Sequence, residues 1–209
     1  MDKLPFMIIE RARDFAFHWH TAIGHKRKYT EEPYIHHLEN VAQNVIKVGG
    51  THQMVAAAYL HDLLEDVFPI CNGVNVEALI EKFGAEIAQM VVDLTDVYTK
   101  EAYPDLSRKE RKRLENERVA KLSPDVKTIK LADLADNVPN VVQHCERFAK
   151  VFLAEALELL PCLMEGNSDL LNTVSCYVID GCNKLNVPII TISHEPTPVC
   201  QDTGLSRID

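Results

Sequence analysis

No stretch of this 209-residue chain approaches the roughly 18 consecutive apolar residues of a membrane-spanning helix. The opening residues, Met1-Asp2-Lys3-Leu4-Pro5, lack the charged, apolar and cleavable regions of a secretion signal. Positive charge is also scarce: 22 Lys and Arg face 31 Asp and Glu, a formal net charge of −9. That balance argues against nucleic acid as a partner, because phosphate-backbone binding needs a basic face. A small phosphorylated ligand stays possible, since a metal ion and a few local cations can reverse the field inside one pocket. Six cysteines, at 71, 145, 162, 176, 182 and 200, show no CxxC spacing. With no export signal they read as reduced thiols, which points to the cytoplasm; the missing apolar span points away from a membrane. There is no internal repeat, no low-complexity tract and no alternation of strand and helix signals.

Helical signals are abundant. Segment 3–20 carries Leu4, Ile8, Phe15 and Trp19 as one apolar stripe. A basic loop, His25-Lys26-Arg27-Lys28-Tyr29, precedes Pro33 and a helix over about 35–48 that ends at Gly49-Gly50. Thr51 is positioned to cap a helix to about Val67, so apolar from Met54 to Leu60 that it should be central. Asn75 and Gly84 bracket another helix, and a short one over about 85–93 follows. Ser107 and Glu110 form a capping-box pattern opening a charged helix to about Leu122. Ser123-Pro124 starts a helix expected to reach about Asn137, where Pro139 should break or kink the chain. Helices over about 140–160 and 168–184 complete the pattern. The expectation is an all-α single domain over 1–185, with a short, poorly predicted tail over 186–209 that could form an extended arm.

Chemistry concentrates in three places. In His61-Asp62-Leu63-Leu64-Glu65-Asp66, residues four apart share a helix face, which sets His61 above Glu65 and Asp62 above Asp66. Three carboxylates near the C-terminal end of a core helix oppose its dipole and are costly to bury unless a cation compensates them. A solvent-facing acidic helix end is the alternative. In Lys130-Leu131-Ala132-Asp133-Leu134-Ala135-Asp136-Asn137, Asp133 and Asn137 again share a face amid apolar neighbours. Pro33-Tyr34-Ile35-His36-His37 adds two histidines at a helix start. The other histidines (18, 20, 25, 52, 144 and 194) show no ligand spacing and read as surface or core residues.

Together, His37, His61-Asp62 and Asp133 resemble the H…HD…D signature of the HD superfamily of metal-dependent phosphohydrolases. The finer pattern is similar to the hydrolase domain of guanosine tetraphosphate hydrolases, the stringent-response enzymes and their small stand-alone relatives. It comprises Arg27-Lys28 ahead of Glu32-Pro33-Tyr34-Ile35, the His61-to-Asp66 segment, Phe83-Gly84-Ala85, and Lys130-to-Asp133 with Asn137. The resemblance covers roughly residues 10–160. It implies a helical HD bundle and a metal held by His37, His61, Asp62 and Asp133. It also implies Glu65 and Asp66 acting on a metal-bound water, and Arg27, Lys28 and Asn137 binding the nucleotide. Two imidazoles and two carboxylates suit manganese or another first-row divalent ion. The implied reaction removes the 3′-diphosphate of a guanosine 3′,5′-bis(diphosphate)-type nucleotide. Three positions depart from the pattern: Pro139 replaces an Arg, His25 a Gln and Glu31 a Gly. These departures bear on the substrate rather than the chemistry and keep open an HD enzyme acting on another phosphorylated metabolite or nucleoside monophosphate. A non-catalytic nucleotide-binding module is the alternative of a different class, against which the intact ligands and acids stand. The departures also make His25 a candidate pocket residue.

Overall fold

The computed structural model describes residues 3–71 and 73–189. Among them are nine α-helices and no named strand: α1 (Lys3–Ala22), α2 (Ile35–Lys47), α3 (His52–Leu60), α4 (Val76–Phe83), α5 (Ala85–Leu94), α6 (Arg108–Val119), α7 (Pro124–His144), α8 (Glu146–Leu159) and α9 (Ser168–Leu185). The expected all-α class is observed. The expected extended arm over 186–209 lies outside the described residues beyond residue 189.

Side-chain caps set many of the boundaries. Thr51, Asn75, Ser107 and Ser123 each accept a hydrogen bond from a backbone amide two or three residues inside the helix that follows. Each bond satisfies an orphan amide of the first turn and stabilises the helix by about 1 kcal/mol. Gly84 ends α4 with φ 87°, a left-handed conformation that glycine adopts without penalty. Asn186 closes α9 in the left-handed helical conformation, with φ 53° and ψ 43°.

The apolar stretch of α3 sits where its composition requires, at the centre. Seven consecutive residues, Met54 to Leu60, are buried. Helix α1 packs against α3 and fully buries its small side chains Ala12 and Ala16, while α2 lies against both α3 and α7. Helix α7 is the second spine, flanked by α2, α8 and α9. The active face proposed below lies where α2, the end of α3 and α7 meet.

Two expectations about helix ends are corrected. First, Pro139 does not interrupt the chain: α7 runs from Pro124 to His144, and the break comes at Cys145 (φ −148°, ψ 78°), with α8 starting only at Glu146. An interior proline costs about 3 kcal/mol. Here Val126, Ile129, Leu131, Ala132, Leu134, Val138 and Val141 are buried along the same helix. Each larger side chain buried contributes about 1.5–3 kcal/mol, which outweighs the one lost bond. Second, α3 does not continue to Val67. It stops at Leu60, and Leu63–Val67 form a π-turn in which the Phe68 amide donates to the Leu63 carbonyl over five residues. Such widened turns recur at functional sites because they re-aim side chains.

Candidate metal centre

His37 is the inward member of its histidine pair. The α2 register buries His37 to 1% exposure and leaves His36 in solvent. Its Nδ1 lies 2.7 Å from Asp136 Oδ2 on α7, which leaves Nε2 facing the interior. His61, just past α3, is oriented differently: its Nδ1 lies 2.8 Å from the Ala58 carbonyl of its own turn. Each ring thus has Nδ1 engaged as a donor and Nε2 directed to a common point.

Around that point the His37 and His61 Nε2 atoms and an Asp133 carboxylate oxygen all lie within 4.8 Å of one another. Asp133 Oδ1 is 3.3 Å from His37 Nε2 and 3.8 Å from His61 Nε2. Asp62 Oδ2 is 3.6 Å and 3.0 Å from the same two nitrogens, and it accepts a short hydrogen bond from the Tyr34 hydroxyl. Both Nε2 atoms are buried without a hydrogen-bond partner. Buried polar atoms are rarely left so. Ligand atoms of His37, His61 and Asp133 converging on one point, with the Asp62 carboxylate close beside the two imidazoles, fit a divalent cation.

Electrostatics carries the same message. Desolvation opposes protonation of His37 and His61, yet their carboxylate neighbours overcome it. His37 is raised well above the ordinary histidine value and His61 to about 10. Burial works against the charged form of Asp133 as well, but the two imidazoles close beside it hold it well below the usual carboxylate range. The carboxylates thus favour positive charge at the centre of the pocket.

Glu65 and Asp66 stand at the rim, re-aimed by the π-turn rather than stacked below His61 and Asp62. Glu65 Oε1 accepts from the Asp96 amide at 2.7 Å. Although Glu65 reaches solvent, the surrounding protein thins its hydration, and the charges of Asp96 and Asp62 add to that, so it is pushed up to about 7. Asp66 is also raised to about 7, by desolvation and then by Asp62 and Glu65. Lys130, on α7, is 3.5 Å from Asp96 Oδ1, and Lys112, on α6, is 3.0 Å from Asp96 Oδ2. A cleft beside Asp133 is lined by Lys112, Lys130, Asn137, Phe152 and Glu155.

The basic loop divides. Arg27 is buried, with only 7% exposure, and its two terminal nitrogens donate to Asp136 and, at 3.1 Å, to Asn137 Oδ1. Lys28 is exposed, with Nζ 5.7 Å from the centroids of both the Tyr29 and Phe148 rings. Phe148 neighbours Phe152 of the cleft, at 6.0 Å between centroids. Asn137 Nδ2 donates to Asp133 Oδ1 at 2.6 Å. His25 stacks on Tyr34 at 3.7 Å between centroids and lies 3.9 Å from Asp66, close to the rim. Pro139, turned by about 200° from Asn137, lines a separate groove with Val142 and Tyr177. The residue that replaces an Arg of the resembling proteins is therefore not part of the cleft wall. Sequence reasoning missed Tyr34, Asp136 and Asp96. Asp136 stands three residues from Asp133, a spacing that also shares a helix face, and that was the available signal.

Comparison with known proteins agrees with this geometry. Residues 12–156 match the HD domain family. A guanosine-3′,5′-bis(diphosphate) 3′-pyrophosphohydrolase of Aquifex aeolicus is 31% identical over 151 residues, 72% of this chain but 20% of that protein. Human MESH1, which carries the same enzyme name, is 35% identical over 130 residues, 61% of this chain and 65% of its own length. The chain thus spans a fifth to about two thirds of these relatives. A solved structure described as a metazoan ortholog of SpoT that hydrolyzes ppGpp superimposes with a TM-score of 0.71 at 25% identity, over 85% of this chain and 96% of the other. Among the described residues no helix is long and apolar enough to cross a membrane. A divalent metal is implied by the family as well as by the orphaned imidazole nitrogens, and on the extent of the match the chain belongs to the HD domain family.

Proposed function

We propose that this protein is a metal-dependent phosphohydrolase that removes the 3′-diphosphate of guanosine 3′,5′-bis(diphosphate)-type nucleotides and releases pyrophosphate. His37, His61, Asp62 and Asp133 would hold manganese or another first-row divalent ion. The carrying observation is the pair of buried, unpartnered Nε2 atoms that face two carboxylates beneath a rim of two acids. The relatives' enzyme names support the substrate class.

When bound, such an ion lowers the pKa of an attacking water and polarises a phosphoryl oxygen. Glu65 suits proton removal from that water, because a base works best when its pKa lies near the working pH, and Glu65 sits at about 7. The Asp96 amide fixes the Glu65 carboxylate in place. Asp66, at the same rim, can take the proton onward or orient Glu65. Asn137 holds Asp133 and borders the cleft. Lys112 and Lys130 give that cleft positive charge for phosphate oxygens, and Lys28, beside Phe148, adds a further cation near its aromatic wall. The five described cysteines are all free, which suits a reducing compartment such as the cytoplasm.

A second reading has one observation in its favour. Asp96, Glu115 and Glu155 also line the cleft, so its field is mixed rather than strongly basic. That would suit a substrate with fewer phosphates. A screen of phosphorylated nucleotides with added Mn2+ separates the two. Pyrophosphate from a 3′-diphosphate supports the proposal, and orthophosphate from a nucleoside monophosphate supports the second reading. No turnover of any substrate would reduce the protein to a binding module.

A further inference from the structure

Arg27 occupies a basic loop, yet it faces inward. The loop doubles back so that the Arg27 amide donates to the Glu32 carbonyl at 2.8 Å and the Glu31 amide to the Arg27 carbonyl at 3.0 Å. Lys26 and Pro33 form an antiparallel bridge alongside. This short closed loop fixes the backbone and delivers the guanidinium to α7.

There it meets Asp136, whose carboxylate is fully engaged. Oδ2 accepts from Arg27 Nη1 and, at 2.7 Å, from His37 Nδ1. Oδ1 accepts from Asn40 Nδ2 at 2.7 Å. Asp136 is therefore occupied and oriented, with its charge paired, and it is not a spare metal ligand. The other arm of Arg27 donates to Asn137 Oδ1, and Asn137 Nδ2 donates to Asp133 Oδ1. One guanidinium thus touches two of the four candidate ligands through a single intermediary each: His37 through Asp136, and Asp133 through Asn137.

We propose that Arg27 and Asp136 are a positioning couple for the metal centre, acting on His37 and Asp133 rather than on the nucleotide. The inference rests on the reading of the site as a divalent-metal centre. An imidazole can ligate through Nε2 only if its other nitrogen keeps the proton, and a carboxylate accepting from Nδ1 enforces that tautomer and the ring angle. His61 obtains this service from the Ala58 carbonyl of its own turn. His37 obtains it from a residue 99 positions away. A carboxylate beside a buried imidazole needs a compensating cation, and Arg27 supplies it with a planar fork that reaches Asp136 and Asn137 together. With 7% exposure and both terminal nitrogens directed at Asp136 and Asn137, the guanidinium faces the ligand-holding side chains.

The test is Mn2+ affinity, measured by calorimetry on the full chain for wild type, Arg27→Ala, Arg27→Lys, Asp136→Asn and the double variant Arg27→Ala/Asp136→Asn. Thermal unfolding in chelator confirms that each variant folds. Wild type should bind one Mn2+ per chain; failure to bind would overturn the metal reading itself. Granted that, Arg27→Ala and Asp136→Asn should each weaken Mn2+ binding by about 10–100-fold. The double variant should be little worse than the poorer single one, as expected of residues acting through one chain of contacts. Arg27→Lys keeps the charge but not the fork, so it should rescue only part of the loss. Lower stability in chelator with unchanged Mn2+ affinity would mark a merely structural role and overturn the proposal. Unchanged affinity with a raised KM for the nucleotide would also overturn it, and would return Arg27 to substrate binding. If Arg27→Ala fails to fold, Asp136→Asn, which preserves side-chain shape, decides alone by the same affinity criterion.

Discussion

Loading the metal-free protein with Mn2+ should expel protons. Without an ion, the surrounding carboxylates favour the imidazolium form of His37 and His61. Desolvation resists this, but Asp133, Asp136 and Asp62 raise His37 well above 6.5, and Asp62 and Asp133 carry His61 up to about 10. At neutral pH both Nε2 atoms therefore carry the protons that must leave before they can ligate. Binding one ion should release about two protons, so affinity should climb about 100-fold per pH unit between about pH 6 and 8. The same shifts make the metal-free fold sensitive to alkali. A histidine with a raised folded pKa contributes stability that is complete below its unfolded value and is lost as pH rises through its folded value. The His61 contribution thus disappears between 6.5 and about 10. Glu65 and Asp66, raised to about 7 from 4.5 and 3.8, lose theirs from those ordinary values up to about 7. The melting temperature in chelator should therefore fall from about pH 5 to pH 9, and Mn2+ should reverse much of the fall. Calorimetry in two buffers of different ionisation enthalpy counts the protons. Affinity independent of pH, with no proton released, would refute the reasoning.

Glu65→Gln should keep Mn2+ affinity while kcat falls by about 100-fold or more, as for the loss of a general base; Asp62→Ala should lose the ion itself. Lys28→Ala should raise KM more than it lowers kcat, because an exposed cation beside the cleft serves ground state and transition state alike. Steady-state kinetics on the nucleotide that turns over best would show this split. Glu31 sits at φ 59°, which costs a side-chain-bearing residue about 1–2 kcal/mol. Glu31→Gly relieves that cost but loosens the unfolded chain by about 0.4–1 kcal/mol. A rise of about 1–3 °C in melting temperature is expected, and a fall would contradict the assigned strain.

Much of the fold is legible in the chain because its signals are local. Thr51, Asn75, Ser107 and Ser123 announce helix starts by a side-chain oxygen that caps the next turn, and the apolar Met54–Leu60 run announces a central helix. Local reading fails where a long-range term outweighs a local one. Pro139 looks like a stop, yet burial along both sides of it keeps α7 intact. The π-turn at Leu63–Val67 adds about one residue per turn, which hydrophobic spacing does not register, so Glu65 and Asp66 point elsewhere than a regular helix would place them. The grouping of His37, His61 and Asp133 was legible only through the family resemblance of the motif order. The Arg27–Asp136 contact joins residues 109 apart, and no spacing rule connects them. The departure at Glu31 acquires a physical meaning only once its left-handed backbone is seen.

The central claim is that an ion at His37, His61, Asp62 and Asp133 enables removal of a 3′-diphosphate. The most direct measurement strips the protein with chelator, adds Mn2+ stepwise in the presence of guanosine 3′,5′-bis(diphosphate), and follows products by phosphorus NMR. The account predicts no reaction at first, then pyrophosphate and guanosine 5′-diphosphate appearing in equal amounts, with the rate saturating at one Mn2+ per chain. Full turnover in chelator, or orthophosphate as the released product, would contradict it.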